Sequence, residues 1–227
     1  MTSSEADLGP GQVMDLGQGS GLTFFSALLT SEQAVMAALL DEVPLRVETL
    51  HIGSRAVNTP RQTAHLGDPG CRLRYSGRTF EPSPMTPTVS KLRVLIAGLT
   101  GLDFNAVLLN FYRDGRDSMG WHADDEPELL PHAPDDVNIF SLSLGARRRF
   151  VLRHRSTSVR HVFELGEGDG LLLRGATQRD WQHAVPKTTR EVGPRLNLTF
   201  RQVRPGHWGT GHRPHFGENL TGVCHSA

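Results

Sequence analysis

A chain of 227 residues is long enough for one full-sized domain with a sizeable core. Lysine plus arginine and aspartate plus glutamate balance at 24 each, which excludes a bulk polycation but leaves room for local basic patches. Two cysteines, Cys71 and Cys224, exclude a disulfide scaffold and a cysteine-rich zinc site and fit a reducing compartment; eleven histidines remain as the metal-capable residues.

Residues 1–20 are rich in Gly, Ser and Asp and read as a flexible N-terminal segment without the basic and apolar blocks of a secretory signal. The longest apolar run, AVMAALL, is too short to span a bilayer, so neither secretion nor a membrane is expected. Thr30-Ser31-Glu32 offers a helix start, and Val35, Leu39 and Leu40 recur at helical spacing. PTVSKLRVLIAGLTG predicts a second helix, and the Gly/Pro/Arg-rich stretch from His51 to Pro87 between them reads as hairpins and loops. From Asn105 onward short strands follow: NAVLLNFYR, NIFSLSLG, RRFVLRH, RHVFEL, GLLLRG and RLNLTFRQV, with GEGDG as a tight turn. Helices followed by antiparallel strands imply an α+β domain built on a sandwich or jelly roll. The tail, residues 204–227, lacks periodicity, and its histidines are expected to be solvated.

The chemistry concentrates in NFYRDGRDSMGWHADDEPEL, from Asn110 to Leu129, where carboxylates crowd around one histidine. His122 and Asp124 form an H-x-D pair, and in an extended segment residues i and i+2 share a face. His183, in RDWQHAVPK, is the best candidate for a third ligand. Two histidines and a carboxylate with open positions form the facial triad of non-haem Fe(II) oxygenases. H-x-D alone is weak, and a solvated acidic turn competes with it. RLNLTFR adds a second signal, with Arg195, Asn197, Thr199 and Arg201 on one face and Leu196, Leu198 and Phe200 on the other. Such a polar face is costly to bury without anions. The two arginines stand about 20 Å apart in an extended strand, and long guanidinium side chains can grip a short dicarboxylate. A solvent-facing strand with surface ion pairs is the alternative. Asn110 and Tyr112 share a side upstream and could hydrogen-bond a bound acid, unless Tyr112 is core.

N-x-Y, H-x-D, a distant His and R-x-N-x-T-x-R, in that order, resemble the AlkB family of Fe(II)/2-oxoglutarate-dependent dioxygenases; HADDE, PRQTAHLGD and RYSG resemble its DNA-repair branch. The resemblance spans roughly Leu22 to Val203. It implies a double-stranded β-helix (distorted jelly roll) over about 100–203 within a dioxygenase domain of 21–203, behind N-terminal helices and a nucleotide-recognition lid of hairpins over about 50–87. By the same resemblance His122, Asp124 and His183 hold Fe(II). Arg195 pairs with the remote carboxylate of 2-oxoglutarate with help from Asn110 or Tyr112, and Arg201, with Asn197 and Thr199, supports the metal-bound end or orients Asp124. With O2, an N-methyl group on N1-methyladenine or N3-methylcytosine in DNA is hydroxylated and lost as formaldehyde, with succinate and CO2 as co-products.

Substrate contacts carried over from the family are Tyr75 beside Arg74, stacking on the flipped base; Asp125 and Glu126, facing a cationic lesion; and Ile52-Gly53 at the hairpin that wedges duplex DNA. Arg147, Arg148, Arg149, Arg153 and Arg155, with Arg160, read as phosphate contacts or as a charged sheet edge. The expected partner is alkylated DNA, single-stranded and less surely duplex, with RNA open and a monomer as the working form. The expected compartment is the cytoplasm or nucleoid, or the nucleus of a eukaryote. Two other readings stand beside this one: a hydroxylase of RNA, a small molecule or a peptide on the same core, and a non-catalytic lesion-binding module.

Overall fold

The computed structural model describes residues 11–52, 55–75 and 78–206, without the side chains of residues 50–55 and 74–78. In chain order the elements are strands β1 (Gln12–Gly17) and β2 (Ser20–Phe25), helix α1 (Glu32–Glu42), strands β3 (Arg46–Ile52), β4 (Arg55–Gly67), β5 (Leu73–Tyr75) and β6 (Arg78–Phe80), and helix α2 (Pro87–Thr100). There follow β7 (Ala106–Tyr112), β8 (Met119–His122), β9 (Pro131–His132), β10 (Asp136–Val137), β11 (Ile139–Gly145), β12 (Arg148–His154), β13 (Arg160–Leu165) and β14 (Asp169–Gly175), then α3 (Thr177–Asp180), β15 (Trp181–Val185) and β16 (Arg195–Arg201).

Two antiparallel sheets face each other. The larger has the order β1-β2-β14-β11-β16-β7-β4-β3 and the smaller β13-β12-β15-β8. This is the expected jelly-roll architecture. The larger sheet is covered on both sides, which explains its near-continuous apolar strands. Alternation sorts their side chains: Ile139, Leu171 and Leu173 point between the sheets, while Phe140, Leu142, Leu144 and Leu172 pack outward against Met36 and Leu39 of α1 and Leu92 and Ile96 of α2. In β16, Leu196, Leu198 and Phe200 join that outer cluster. The polar face must then point inward, and all seven residues of β16 are buried.

The predicted helices form where expected, but for different reasons. Thr86 caps α2 by accepting from the Val89 amide, and Gly101 ends it in a left-handed conformation. Ser31 makes no side-chain cap; α1 is held by burial of Met36 and Leu39, while Leu40 is exposed. The GEGDG turn forms with Glu167 and Gly168 both at positive φ, and it carries the chain from the smaller sheet to the larger. Phe200 is fully buried and its ring lies 6.3 Å from that of Phe104. Phe200→Ala should cost about 3–5 kcal/mol in urea unfolding, because the α2 side of the sheet cannot collapse into the space left.

The N-terminal expectation needs correction. Residues 12–25 form a β1–β2 hairpin that extends the larger sheet through β14, so only residues 1–10 lie outside the described part of that segment. The expected hairpins are present as β3–β4 and β5–β6, but β4 is shared. Its first half pairs with β3, and its second half, from Gln62, pairs with β7 inside the main sheet. The hairpin stretch is therefore a continuation of the core sheet. Most of the tail, from residue 207, lies outside the described residues. Among the described residues no helix is long and apolar enough to cross a membrane.

Candidate active site

The inward faces of β4, β7, β16 and β11 form one polar floor, because the register aligns their side chains. Arg195 lies opposite Tyr112, Asn197 opposite Asn110, and Thr199 opposite Ser141. Above this floor β8 and β15 of the smaller sheet bring His122 opposite His183. A cavity of about 210 Å³ lies between, lined by Asn110, Tyr112, His122, Asp124, His183 and Arg201 among others.

The ligand atoms of His122, Asp124 and His183 all lie within 4.8 Å of one another. His183 Nε2 stands 3.7 Å from Asp124 Oδ2. His122 and Asp124 are each oriented by neighbours. His122 Nδ1 lies 2.9 Å from the Gly120 carbonyl oxygen, so donation there leaves Nε2 as a lone-pair donor. The Asp124 amide donates to Gln178 Oε1 at 2.9 Å, and Arg201 Nη2 donates to Asp124 Oδ1. Burial lowers the His183 pKa to about 3, with the neighbouring His122 adding to the effect, so His183 is a neutral imidazole. Burial also lowers His122. At Asp124 burial acts to raise the pKa, but the Arg201 guanidinium outweighs it and holds the group ionised. Two neutral imidazoles and one carboxylate are the protonation states a divalent metal requires of its ligands.

Arg195 fits the expected anion. It is 1 % exposed, yet among the described residues its Nε and Nη1 have no hydrogen-bond partner, while Nη2 donates to Ser143 Oγ at 2.8 Å. A guanidinium buried with a free edge calls for a carboxylate. Tyr112 lies beside it, its ring centre 5.3 Å from the guanidinium carbon. Asn197 is held by Ser141 and the Leu142 carbonyl, and Thr199 donates to Asn197 Oδ1. Arg201 bridges Asp124 and Glu126, donating to Glu126 Oε1 at 2.8 Å.

A model described as "2OG-Fe(II) oxygenase superfamily" matches residues 21–201. The chain belongs to that superfamily. Its fold is that of a 2OG-Fe(II) oxygenase, and the donor set of His122, Asp124 and His183 and the free edge of Arg195 fit Fe(II) and 2-oxoglutarate. Among curated relatives it is 39 % identical over 154 residues to the human "DNA oxidative demethylase ALKBH2", covering 64 % of this chain and 58 % of that protein. It is 39 % identical over 194 residues to the cattle "Alpha-ketoglutarate-dependent dioxygenase alkB homolog 3", covering 79 % and 66 %, and 44 % identical over 156 residues to the mouse counterpart, covering 64 % and 52 %. The chain thus spans about half to two thirds of the length of these relatives. A solved structure titled "The structure of OsALKBH1" superposes with a TM-score of 0.60 at 18 % identity, covering 84 % of this chain and 100 % of that one, and supports the fold.

The remaining predicted residues divide by position in this oxygenase. Asp125 and Glu126 line the cavity, and Glu126 is pushed up to about 7 by burial, against Arg201 and with Asp124 adding to the rise. Arg148 is 2 % exposed and donates to the carbonyls of Asp114, Asp117 and Pro186, so it braces a turn and cannot meet phosphate. Arg147 is taken up by Glu167 and Asp169. Arg149 is exposed and faces Glu164 across the strand pair. Arg153 and Arg155 lie near the cavity mouth through Gln182 and Asp125. Gly53 and the side chains of Ile52, Arg74 and Tyr75 lie outside the described residues.

Two residues escaped the sequence reading. Arg61 is 3 % exposed, lines the cavity, and donates from Nε to Asn110 Oδ1 at 2.6 Å. Alternation along Thr59, Arg61, Thr63 and His65 was the available signal. Gln178 sits in a helix of only four residues, and nothing in its local sequence announces a role beside Asp124.

Proposed function

We propose that this oxygenase oxidatively demethylates alkylated bases in DNA, of the N1-methyladenine and N3-methylcytosine type. The observation that carries the reading is one cavity lined by the His122–Asp124–His183 triad and by the carboxylates of Asp125 and Glu126. These lesions carry positive charge, and an acidic pocket favours them over neutral bases; a cation beside Glu126, pushed up to about 7, would draw its carboxyl toward the ionised form. The relatives named as DNA oxidative demethylases support the same substrate class.

His122, Asp124 and His183 would hold the iron, and Arg195 would hold the far carboxylate of 2-oxoglutarate. When bound, these cofactors supply an oxygen-derived oxidant for a C–H bond. The chain supplies aim and exclusion of water. Arg201 fixes Asp124 and Glu126 together, so the lesion and a metal ligand are positioned by one guanidinium. The net reaction converts an N-methyl base, O2 and 2-oxoglutarate into the restored base, formaldehyde, succinate and CO2. A base must leave the stack to enter, with Tyr75 and Arg74 assigned to receive it. The enzyme works as a monomer wherever DNA is kept, the nucleus if the cell has one.

The test is turnover on a panel of methylated single- and double-stranded oligonucleotides. Formaldehyde release from them supports the reading. Succinate formation stimulated only by RNA, a small molecule or a peptide would replace it with another hydroxylase, and no turnover at all with a lesion bound would make the chain a binding module. Within that panel the β3–β4 tip should set strand preference. Ile52→Ala should lower duplex turnover and spare single strands, and Ile52→Phe should raise duplex turnover, since a flat ring replaces a lost stack better. An unchanged duplex-to-single-strand ratio in both variants would remove Ile52 from that role.

A further inference from the structure

The outer face of the smaller sheet carries a strip that the active-site chemistry does not use. His122 and His183 point inward, so their neighbours Trp121 and Gln182 point outward. Gln182 lies opposite Arg153 on β12, and Arg153 opposite Arg160 on β13. Gln182, Arg153 and Arg160 therefore run side by side on β15, β12 and β13, and Trp121 of β8 joins them through its ring. Trp121 and Gln182 also line the cavity, so the strip begins at its mouth.

Its physical state is unusual in three respects. The Arg153 guanidinium carbon sits 4.2 Å from the centre of the Trp121 ring and that of Arg160 at 5.9 Å, so one indole, itself 37 % exposed, is shared by two cations. Arg153 and Arg160 form a directly opposed cross-strand pair of like charge, an arrangement that destabilises a sheet. Neither forms an ion pair among the described residues. Among the described residues the hydrogen bonds of Arg153 go to Gln182, through Nε at 3.1 Å and Nη2 at 2.8 Å, which leaves Nη1 for another acceptor. Burial and the nearby Arg160 and Arg155 all push the Arg153 pKa down, which marks excess positive potential there.

We infer that Trp121 is a positioning residue that holds Arg153 and Arg160 as a two-arginine phosphate clamp, taking the backbone of the single strand that leads away from the nucleotide in the cavity. The indole fixes both guanidinium planes, Gln182 fixes one edge of Arg153, and the remaining N–H groups meet phosphate oxygens. The inference builds on the proposed nucleic-acid substrate.

The experiment is fluorescence anisotropy of a labelled, unmethylated oligothymidylate with the full chain, read as log Kd against log salt concentration. For a single strand, one fewer phosphate neutralised by the protein should flatten the slope by about 0.7. Arg160→Ala and Arg153→Ala should each do so, with several-fold weaker binding at low salt. Trp121→Leu should flatten the slope although it removes no charge, and Trp121→Phe should restore most of it. A purely structural role for Trp121 would lower thermal stability and leave the slope alone. Wild-type slopes in Arg160→Ala and Trp121→Leu, or no salt-dependent binding by the parent chain, overturn the inference. The functional reading fails separately: the clamp stands if the slopes respond while methylated oligonucleotides release no formaldehyde.

Discussion

Asp124→Ala should abolish Fe(II)-dependent succinate formation and weaken metal binding by at least about 100-fold, the upper end of what loss of a mere supporting partner costs a metal site. The carboxylate is the only anionic member of the triad, and it is ionised before any metal arrives because the Arg201 guanidinium holds it so. Removing it leaves two neutral imidazoles, which cannot balance a divalent charge. The fold should persist. Arg201 keeps Glu126 as a partner, and the core clusters behind β16 do not involve Asp124. The check is metal titration beside circular dichroism. Retained turnover in a well-folded variant would remove the triad assignment.

Arg195→Leu should weaken 2-oxoglutarate binding by about 2–5 kcal/mol, the range for leaving one member of a buried charge pair alone. That is roughly 30-fold or more in Kd. Stability should move the other way. Arg195 is a buried cation whose pKa burial pulls down and whose Nε and Nη1 have no hydrogen-bond partner among the described residues, so an apolar replacement relieves a cost in the ligand-free protein. Thermal unfolding without 2-oxoglutarate should be no easier in the variant. Addition of 2-oxoglutarate with an inert divalent metal, without oxygen, should raise the melting temperature of the parent chain only. An equal upward shift in both proteins would place the dicarboxylate elsewhere. Arg195→Lys should restore little, since a point charge cannot present two parallel N–H groups.

Much of this was legible in the residues, for reasons that differ from place to place. RLNLTFR declared both of its faces, because a strand alternates strictly and each face had one character. Its polar face could have belonged to a surface strand; burial of all seven residues decides between the two readings. His183 could be nominated but not placed, since its pairing with His122 joins residues 61 apart in the chain through sheet topology. The β1–β2 hairpin was hidden by glycine-rich composition, although the G-Q-G-S turn between VMDL and LTFF was a usable signal. The arginine run at 147–149 misled because three adjacent identical residues met three environments: ion-paired, buried on carbonyls, and exposed. Charge counts do not resolve a strand's alternation. Trp121 carries no local signal in the sequence, because the two guanidinium groups at its ring come from other strands.

The most direct test of the central claim is the stoichiometry of one reaction: the full chain, Fe(II), 2-oxoglutarate and air-saturated buffer with a single-stranded oligonucleotide bearing one N1-methyladenine. Formaldehyde and succinate should appear in equal amounts, with adenine restored at the lesion and no formaldehyde from the unmethylated strand. Succinate that forms at the same rate with either oligonucleotide, with no formaldehyde from the methylated one, would contradict the account.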